Sequence, residues 1–313
     1  MAIKKTRFQN MLLGIAIGDA FGVAYEFTCD RIALLTHLEP TKYKSKRVNR
    51  KAGMYTDDTQ MSIAICEMML SDKEFNIENL AQRFIDTYRA DPIEGYSTTI
   101  KEALLLRDGA ELLEKAVRNK ITNGAAMRSI PLGLYDSIEE AVTNAMINGA
   151  VTHNTPEAIS SSVAIALMSY YHLHQCQNIS LLGFIEPHVR NICDQMAEHL
   201  KKIDEMPTFN SELIYGSENF LRGVPTDAIR TVGAVFYIIS NYKEPIDVLL
   251  ESVKLGGDTD SIASMSLGIT MINHSVDELP DFLFNDLNND NSRRDKILDL
   301  GNRLTDWYAR KNE

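Results

Sequence analysis

Long apolar runs, paired cysteines and an excess of basic charge are all missing from this chain. No apolar stretch approaches the ~18 residues needed to span a bilayer, so no membrane-crossing helix is expected. The four cysteines, Cys29, Cys66, Cys176 and Cys193, form no CxxC pair. That pattern argues against a disulfide framework and suits reduced, mostly buried thiols in a cytoplasmic protein. Lys and Arg number 32 against 43 Asp and Glu, for a net charge of -11. No nucleic-acid partner is expected, because no basic face suggests one. The densest basic run, at 42–51, reads as a solvated loop. Lys4, Lys5 and Arg7 ahead of the apolar segment 11–17 imitate a signal peptide, but the run is short and Asp19 interrupts it.

What is present is helical. The chain has 313 residues, 44% hydrophobic and 24% charged, the balance of a folded globular protein. Leu12, Ile15 and Ala16 share one helix with Gly14, Gly18 and Gly22. Glycine costs about 1 kcal/mol in a helix interior, so three spaced by four need a reason, and close approach of another backbone supplies one. Further helical patterns cover 57–70, a segment capped by Asn76, 98–116, 137–149, 156–173, 180–203, 226–241, 245–254, 261–273 and 292–310. The run 235–239 reads as the apolar end of a buried helix, and 203–209 as a surface loop. No alternating strand pattern, internal repeat or linker interrupts them. The expectation is an all-α fold, with residues 1–313 in a single compact helical domain.

Two acidic clusters open helices. One is Thr56-Asp57-Asp58-Thr59, the other Gly256-Gly257-Asp258-Thr259-Asp260-Ser261. Each permits two readings. Thr and Asp are favoured N-caps, and Asp57 with Gln60 resembles a capping box. Yet only one of two adjacent aspartates caps well, and close carboxylates repel unless a cation neutralises them. Oxygen ligands from Asp, Thr and Ser suit hard cations, and two helix starts that met would suffice for two of them.

Asp19 and Glu26 lie seven apart, about two helical turns, and so can share a face. They are either surface charges or, for Glu26, a ligand or general base. The segment 123–128 reads as a tight turn into a helix, offering N–H groups to a phosphate or simply capping. Gly95-Tyr96-Ser97-Thr98-Thr99 has the same double reading. His153 precedes a helix with Pro156 near its start, and a lone loop histidine is more often structural. His172 and His174, two apart on one helix, do not share a face. The segment 286–290 lacks the glycine and glutamate of a calcium loop.

Six segments, taken in order, resemble the ADP-ribosylglycohydrolase family, which includes dinitrogenase reductase-activating glycohydrolase and the ADP-ribosylarginine and ADP-ribosylserine hydrolases. They are GDAFGVAYEF at 18–27, TDDTQMS at 56–62, EGYSTT at 94–99, NGAAMRSIPLG at 123–133, THNTPEA at 152–158 and GGDTDSIA at 256–263. The resemblance implies an all-α fold with a binuclear centre of two divalent cations, Mg²⁺ or Mn²⁺. Its ligands would be Thr56, Asp57, Asp58, Asp258, Asp260 and Ser261. Ser261 stands where the family usually has threonine and keeps the oxygen. Gly95, Tyr96 and Ser97 would form the loop over ADP-ribose, with Ser97 in place of a frequent second glycine. Asn123, Gly124 and His153 would line the ADP-ribose pocket.

The activity so implied is hydrolysis of the N- or O-glycosidic bond between ADP-ribose and a protein side chain, with arginine the first acceptor. Water activated at the cations would attack the anomeric carbon, with Glu26, Asp57 or Asp58 handling the proton. An ADP-ribosylated protein is the expected partner, ADP-ribose the product, and the enzyme a monomer. Two other readings compete: a hydrolase of a small ADP-ribose conjugate or phosphate ester, and a catalytically inert ADP-ribose-binding or structural homologue.

Overall fold

Residues 5–28, 38, 40–45, 51–176, 178–216, 222–287 and 292–311 are described by the computed structural model. Cys29, positions 46–50 of the basic run and positions 288–290 of the segment at 286–290 fall outside them.

Among the described residues the helices are α1 (Arg7–Gly22), α2 (Asp57–Met69), α3 (Ile77–Ala90), α4 (Thr98–Leu104), α5 (Gly109–Lys115), α6 (Ile138–Thr152), α7 (Pro156–Leu173) and α8 (Leu181–Arg190). There follow α9 (Asp194–Asp204), α10 (Ser211–Tyr215), α11 (Ala228–Asn241), α12 (Pro245–Lys254), α13 (Thr259–Thr270), α14 (Asp281–Asn285) and α15 (Ser292–Lys311). No strand forms among these residues; extended pairing is limited to the isolated bridges Thr122 to Asp227 and Val224 to Gly257. The all-α expectation therefore holds. No described helix is long and apolar enough to cross a membrane.

The glycine stripe decides how α1 packs. A Cβ added at Gly14 would lie 2.8 Å from the Leu267 carbonyl oxygen, at Gly18 2.3 Å from that of Ala263, and at Gly22 2.4 Å from that of Thr259. The partners step backwards by four as the glycines step forwards, so α1 and α13 run antiparallel with backbones in contact. The Thr259 hydroxyl donates to the Gly22 carbonyl at 2.7 Å. The C-terminus of α1 thus meets the N-terminus of α13. The segment 11–17 is buried within α1, and α7 is also buried around most of its circumference. The run 235–239 lies in α11, with Val235, Phe236, Ile238 and Ile239 buried, as its apolar character implied.

Two long helical patterns divide. The 98–116 pattern breaks between α4 and α5 because Asp108 starts a new helix, its side chain accepting from the Glu111 N–H. The break lets Gly109 approach α3, where a Cβ would sit 2.6 Å from the Gln82 nitrogen. The 180–203 pattern breaks after Arg190, where the Ile192 and Cys193 N–H groups both turn back to the Val189 carbonyl. The segment 123–128 is a 3-10 turn, followed by a second at Ile130–Leu134. The surface loop begins after α9, at Glu205 rather than Ile203, and α10 is an added short helix.

Candidate active site

The start of α2 is capped from outside. Thr56 is its N-cap residue, but makes no capping bond to its own helix. Asp19, wholly buried on α1, accepts from the Thr56 N–H at 2.8 Å, the Thr56 hydroxyl at 2.7 Å, the Thr59 N–H at 3.1 Å and the Thr59 hydroxyl at 2.6 Å. Asp19 is therefore no surface charge. Gln60 takes no part in a capping box either: its amide donates to the Asp91 carbonyl at 2.6 Å and its oxygen accepts from the Tyr96 hydroxyl at 2.8 Å. Asp57 and Asp58 are left with no capping role.

The start of α13 is arranged alike. Asp258 is the N-cap residue and makes no side-chain capping bond. Gly256 and Gly257 precede it at φ of 70° and 79°, in the left-handed region that favours glycine. A Cβ on Gly257 would fall 1.9 Å from the Val224 carbonyl oxygen. This tight approach lets the Asp258 N–H donate to Val224 at 3.0 Å and the Gly257 carbonyl accept from the Phe27 N–H at 2.7 Å. Glu26, the residue before Phe27, is thereby brought to α13. Carboxylate oxygens of Glu26, Asp258 and Asp260 lie within 4.8 Å of one another.

The electrostatics of this cluster are unbalanced. Asp58, Asp258 and Asp260 are buried, and no Lys or Arg pairs with them or with Asp57 among the described residues. Burial, followed by repulsion from Asp19, Asp258 and Glu26, pushes Asp57 up to about 8. Burial and then Asp19 and Asp57 raise Asp58 well above the usual range, and burial with Asp258, Asp58 and Glu26 does the same for Asp260. Asp258 is raised by burial, against hydrogen bonds from Asp260, Asn123 and Ser261. Asp58 Oδ1 is buried with no hydrogen-bond partner. An orphaned carboxylate oxygen amid like charges fits a cation, and a donor set made only of oxygens fits a hard one.

A cavity of about 590 Å³ opens over the cluster. Glu26, Asp57, Asp58, Gly95, Tyr96, Ser97, Asn123, Gly124, His153, Asp258, Asp260 and Ser261 all border it. Thr56 lies behind, turned to Asp19. Gly95 has a φ of 121°, and a Cβ there would meet Asp57 Oδ1 at 2.0 Å, so glycine lets this loop close on α2. Asn123 donates to both Asp258 Oδ2 and the Thr231 hydroxyl. His153 is buried, with Nδ1 2.8 Å from the Thr152 hydroxyl and Nε2 3.0 Å from that of Thr122. Burial, with Arg128 and Lys120 nearby, lowers it to about 3, so it is neutral. Its ring lies so close to Gly124 that a Cβ there would meet Cε1 at 2.6 Å.

Sequence reasoning passed over Arg128. It is buried, stacks on Phe84 with the guanidinium carbon 4.6 Å from the ring centroid, and donates to the Gly124 carbonyl, the Asn148 side chain and the Thr152 hydroxyl. It holds both the 123–128 turn and, through Thr152, His153. A lone arginine at the end of a turn gives no sign of this.

The family model described as ADP-ribosylglycohydrolase matches residues 1–313. Among curated relatives, ADP-ribosylhydrolase ARH3 of Homo sapiens is 28% identical over 319 residues, covering 88% of this chain and 87% of that protein. ADP-ribosylhydrolase ARH3 of Xenopus tropicalis is 27% identical over 327 residues, covering 90% of each. The ADP-ribosyl-[dinitrogen reductase] glycohydrolase of Rhodospirillum rubrum is 22% identical over 275 residues, covering 88% and 87%. A solved structure titled ADP-ribosylglycohydrolase-related protein complex superimposes with a TM-score of 0.71 at 20% identity, over 95% of this chain and 96% of that one. That likeness shows a shared fold.

Proposed function

Since this chain belongs to the ADP-ribosylglycohydrolase family, we propose that it is a metal-dependent hydrolase releasing ADP-ribose from a protein side chain, with arginine the leading acceptor. The observation that carries this reading is the cluster of Glu26, Asp258 and Asp260 beside the orphaned Asp58, set on the floor of a nucleotide-sized cavity.

Thr56, Asp57, Asp58, Asp258, Asp260 and Ser261 would hold two divalent cations, Mg²⁺ or Mn²⁺. Once bound, these neutralise the carboxylates and polarise oxygens of water and ribose. The chain supplies the rest. Asp19 fixes the Thr56 hydroxyl, and Asn123 fixes Asp258. Met61, Ile100, Ile121 and Met127 give the cavity an apolar wall for an adenine, and Lys120 brings a positive charge to the pyrophosphate. Tyr96, tied to Gln60, shapes the loop side. Glu26 takes a proton from the attacking water as the oxygen bonds to the anomeric carbon. The bond to the side-chain nitrogen or oxygen breaks with its electron pair on that atom, which recovers a proton from Glu26.

Product identity tests the reading. Purified protein with Mn²⁺ or Mg²⁺ is incubated with arginine- and serine-ADP-ribosylated proteins, and the products are separated by mass. Free ADP-ribose is expected, and Asp58→Ala should abolish it. AMP or free phosphate would move the chemistry to a phosphate ester. Release unaffected by Asp58→Ala would remove the cluster from the reaction.

A further inference from the structure

A second cavity, of about 310 Å³, adjoins the first. Among the described residues the two share Glu26, Asp260, Gly95 and Tyr96 and no other lining residue. Gly95 and Tyr96 thus form a partition with the carboxylates at its foot. A glycosidic bond cut at shared carboxylates has the sugar on one side and the leaving group on the other. The larger cavity has the size and the apolar wall for ADP-ribose, so the smaller one faces the acceptor.

Its rim has a distinctive charge. Lys51 and Lys101 line it from two separate segments, and both are exposed. Neither enters an ion pair among the described residues. Lys44 adds a third ammonium, 5.9 Å from the Tyr25 ring centroid. Among the described residues, Glu94 is the one acidic residue of the lining beyond Glu26 and Asp260, which belong to the cluster assigned to cations. An approaching peptide therefore meets a positive rim on a chain whose net charge is -11. Such local reversal steers oppositely charged partners and repels like ones.

We propose that this cavity is the acceptor subsite and that it takes a modified side chain flanked by acidic residues, which pair with Lys51 and Lys101. The proposal rests on the hydrolase reading above and names the sequence context that reading leaves open.

The test compares kcat/KM of the metal-loaded enzyme for two ADP-ribosylated peptides with the same acceptor, one flanked by Asp and Glu and the other by Lys. The acidic peptide should be favoured roughly tenfold, the scale of two exposed ion pairs gained on one peptide and opposed on the other. The preference should sit mainly in KM and shrink with added salt. Lys51→Glu combined with Lys101→Glu should invert the ratio, a comparison that cancels any general loss of activity. Equal use of both peptides, or a ratio the double substitution leaves alone, overturns the proposal. A second readout follows the anisotropy of a labelled, unmodified Asp/Glu-rich peptide on metal-loaded protein saturated with ADP-ribose. Binding tighter than that of a Lys-rich peptide supports the subsite, and binding no tighter overturns it. Should neither modified peptide be hydrolysed, the hydrolase reading falls and this binding comparison alone decides the subsite.

Discussion

The Asp19 carboxylate on α1 accepts the Thr59 hydroxyl of α2 at 2.6 Å. Together with its bonds to Thr56, this makes Asp19 the cap of a helix to which it does not belong. Asp57 and Asp58 are released from capping by a residue 37 positions before Thr56.

Asp19→Ala should cost about 2–3 kcal/mol of stability, because two hydroxyls and two N–H groups lose their acceptor in a buried site. Removing a like charge from beside Asp57 and Asp58 offsets part of that. Asp19→Asn keeps the shape and should cost less. Both changes should weaken Mn²⁺ affinity, by roughly tenfold to a hundredfold, since Thr56 and the start of α2 lose their orienting partner. Urea unfolding with EDTA and calorimetric titration with Mn²⁺ measure the two effects separately. Unchanged stability in both variants would contradict the capping role.

The acidic cluster sets a pH dependence with a definite sign. Asp57 is raised from 3.8 to about 8, and Asp58, Asp258 and Asp260 are also raised. Folded values above unfolded ones give stability that is full below pH 3.8 and lost as pH rises, through about 8 for Asp57. His153, lowered to about 3, and His172 and His199, each lowered to about 4, act oppositely. Their contribution is present above pH 6.5 and lost as pH falls toward those values. Metal-free protein should thus be destabilised at both ends. Cations displace the cluster's protons, so the rise in Tm on adding Mn²⁺ should be larger at pH 8 than at pH 5.5. An equal rise at both would count against ligation by this cluster.

Gly18→Ala separates propensity from packing. In an isolated helix it would gain about 1 kcal/mol. Here the new Cβ would lie 2.3 Å from the Ala263 carbonyl oxygen, forcing α1 from α13. A net loss of about 3 kcal/mol is expected from this overpacking against backbone, read as a lower midpoint in urea. A gain in stability would show that the two backbones are not in contact.

Arg128→Met should act on binding more than on chemistry. Arg128 touches Gly124, Asn148 and Thr152, so its loss loosens the turn that lines the cavity and the His153 behind it. KM should rise about tenfold with a smaller fall in kcat, alongside a stability loss of about 3 kcal/mol from unpaired buried acceptors. A fall in kcat at constant KM would instead place Arg128 at the reacting bond.

What was legible in the sequence and what was not divide along physical lines. Gly14, Gly18 and Gly22 announced a close helix contact because period and residue type both appear in one local stretch. The partner, Thr259 to Leu267, did not, since antiparallel pairing is decided by packing. The two Asp clusters stood out as local excesses of like charge, but the helix-cap alternative fell only in three dimensions: at the first because Asp19 reaches Thr56 and Thr59 from α1, at the second because Asp258 makes no capping bond. His153 looked like an isolated loop residue until folding placed Thr122 beside it, 31 positions earlier in the chain. The break at Asp108 was hidden because a helix-starting aspartate and a surface aspartate look alike in a periodic pattern. The partition at Gly95 and the lysines across it exist only in three dimensions.

The most direct measurement is a time course of free ADP-ribose released from arginine-ADP-ribosylated protein, run with Mn²⁺ or Mg²⁺ and with a chelator. Release with cation, none with chelator and none from Asp58→Ala is the expected result. Release that continues undiminished in chelator would contradict the central claim that these carboxylates work through bound cations.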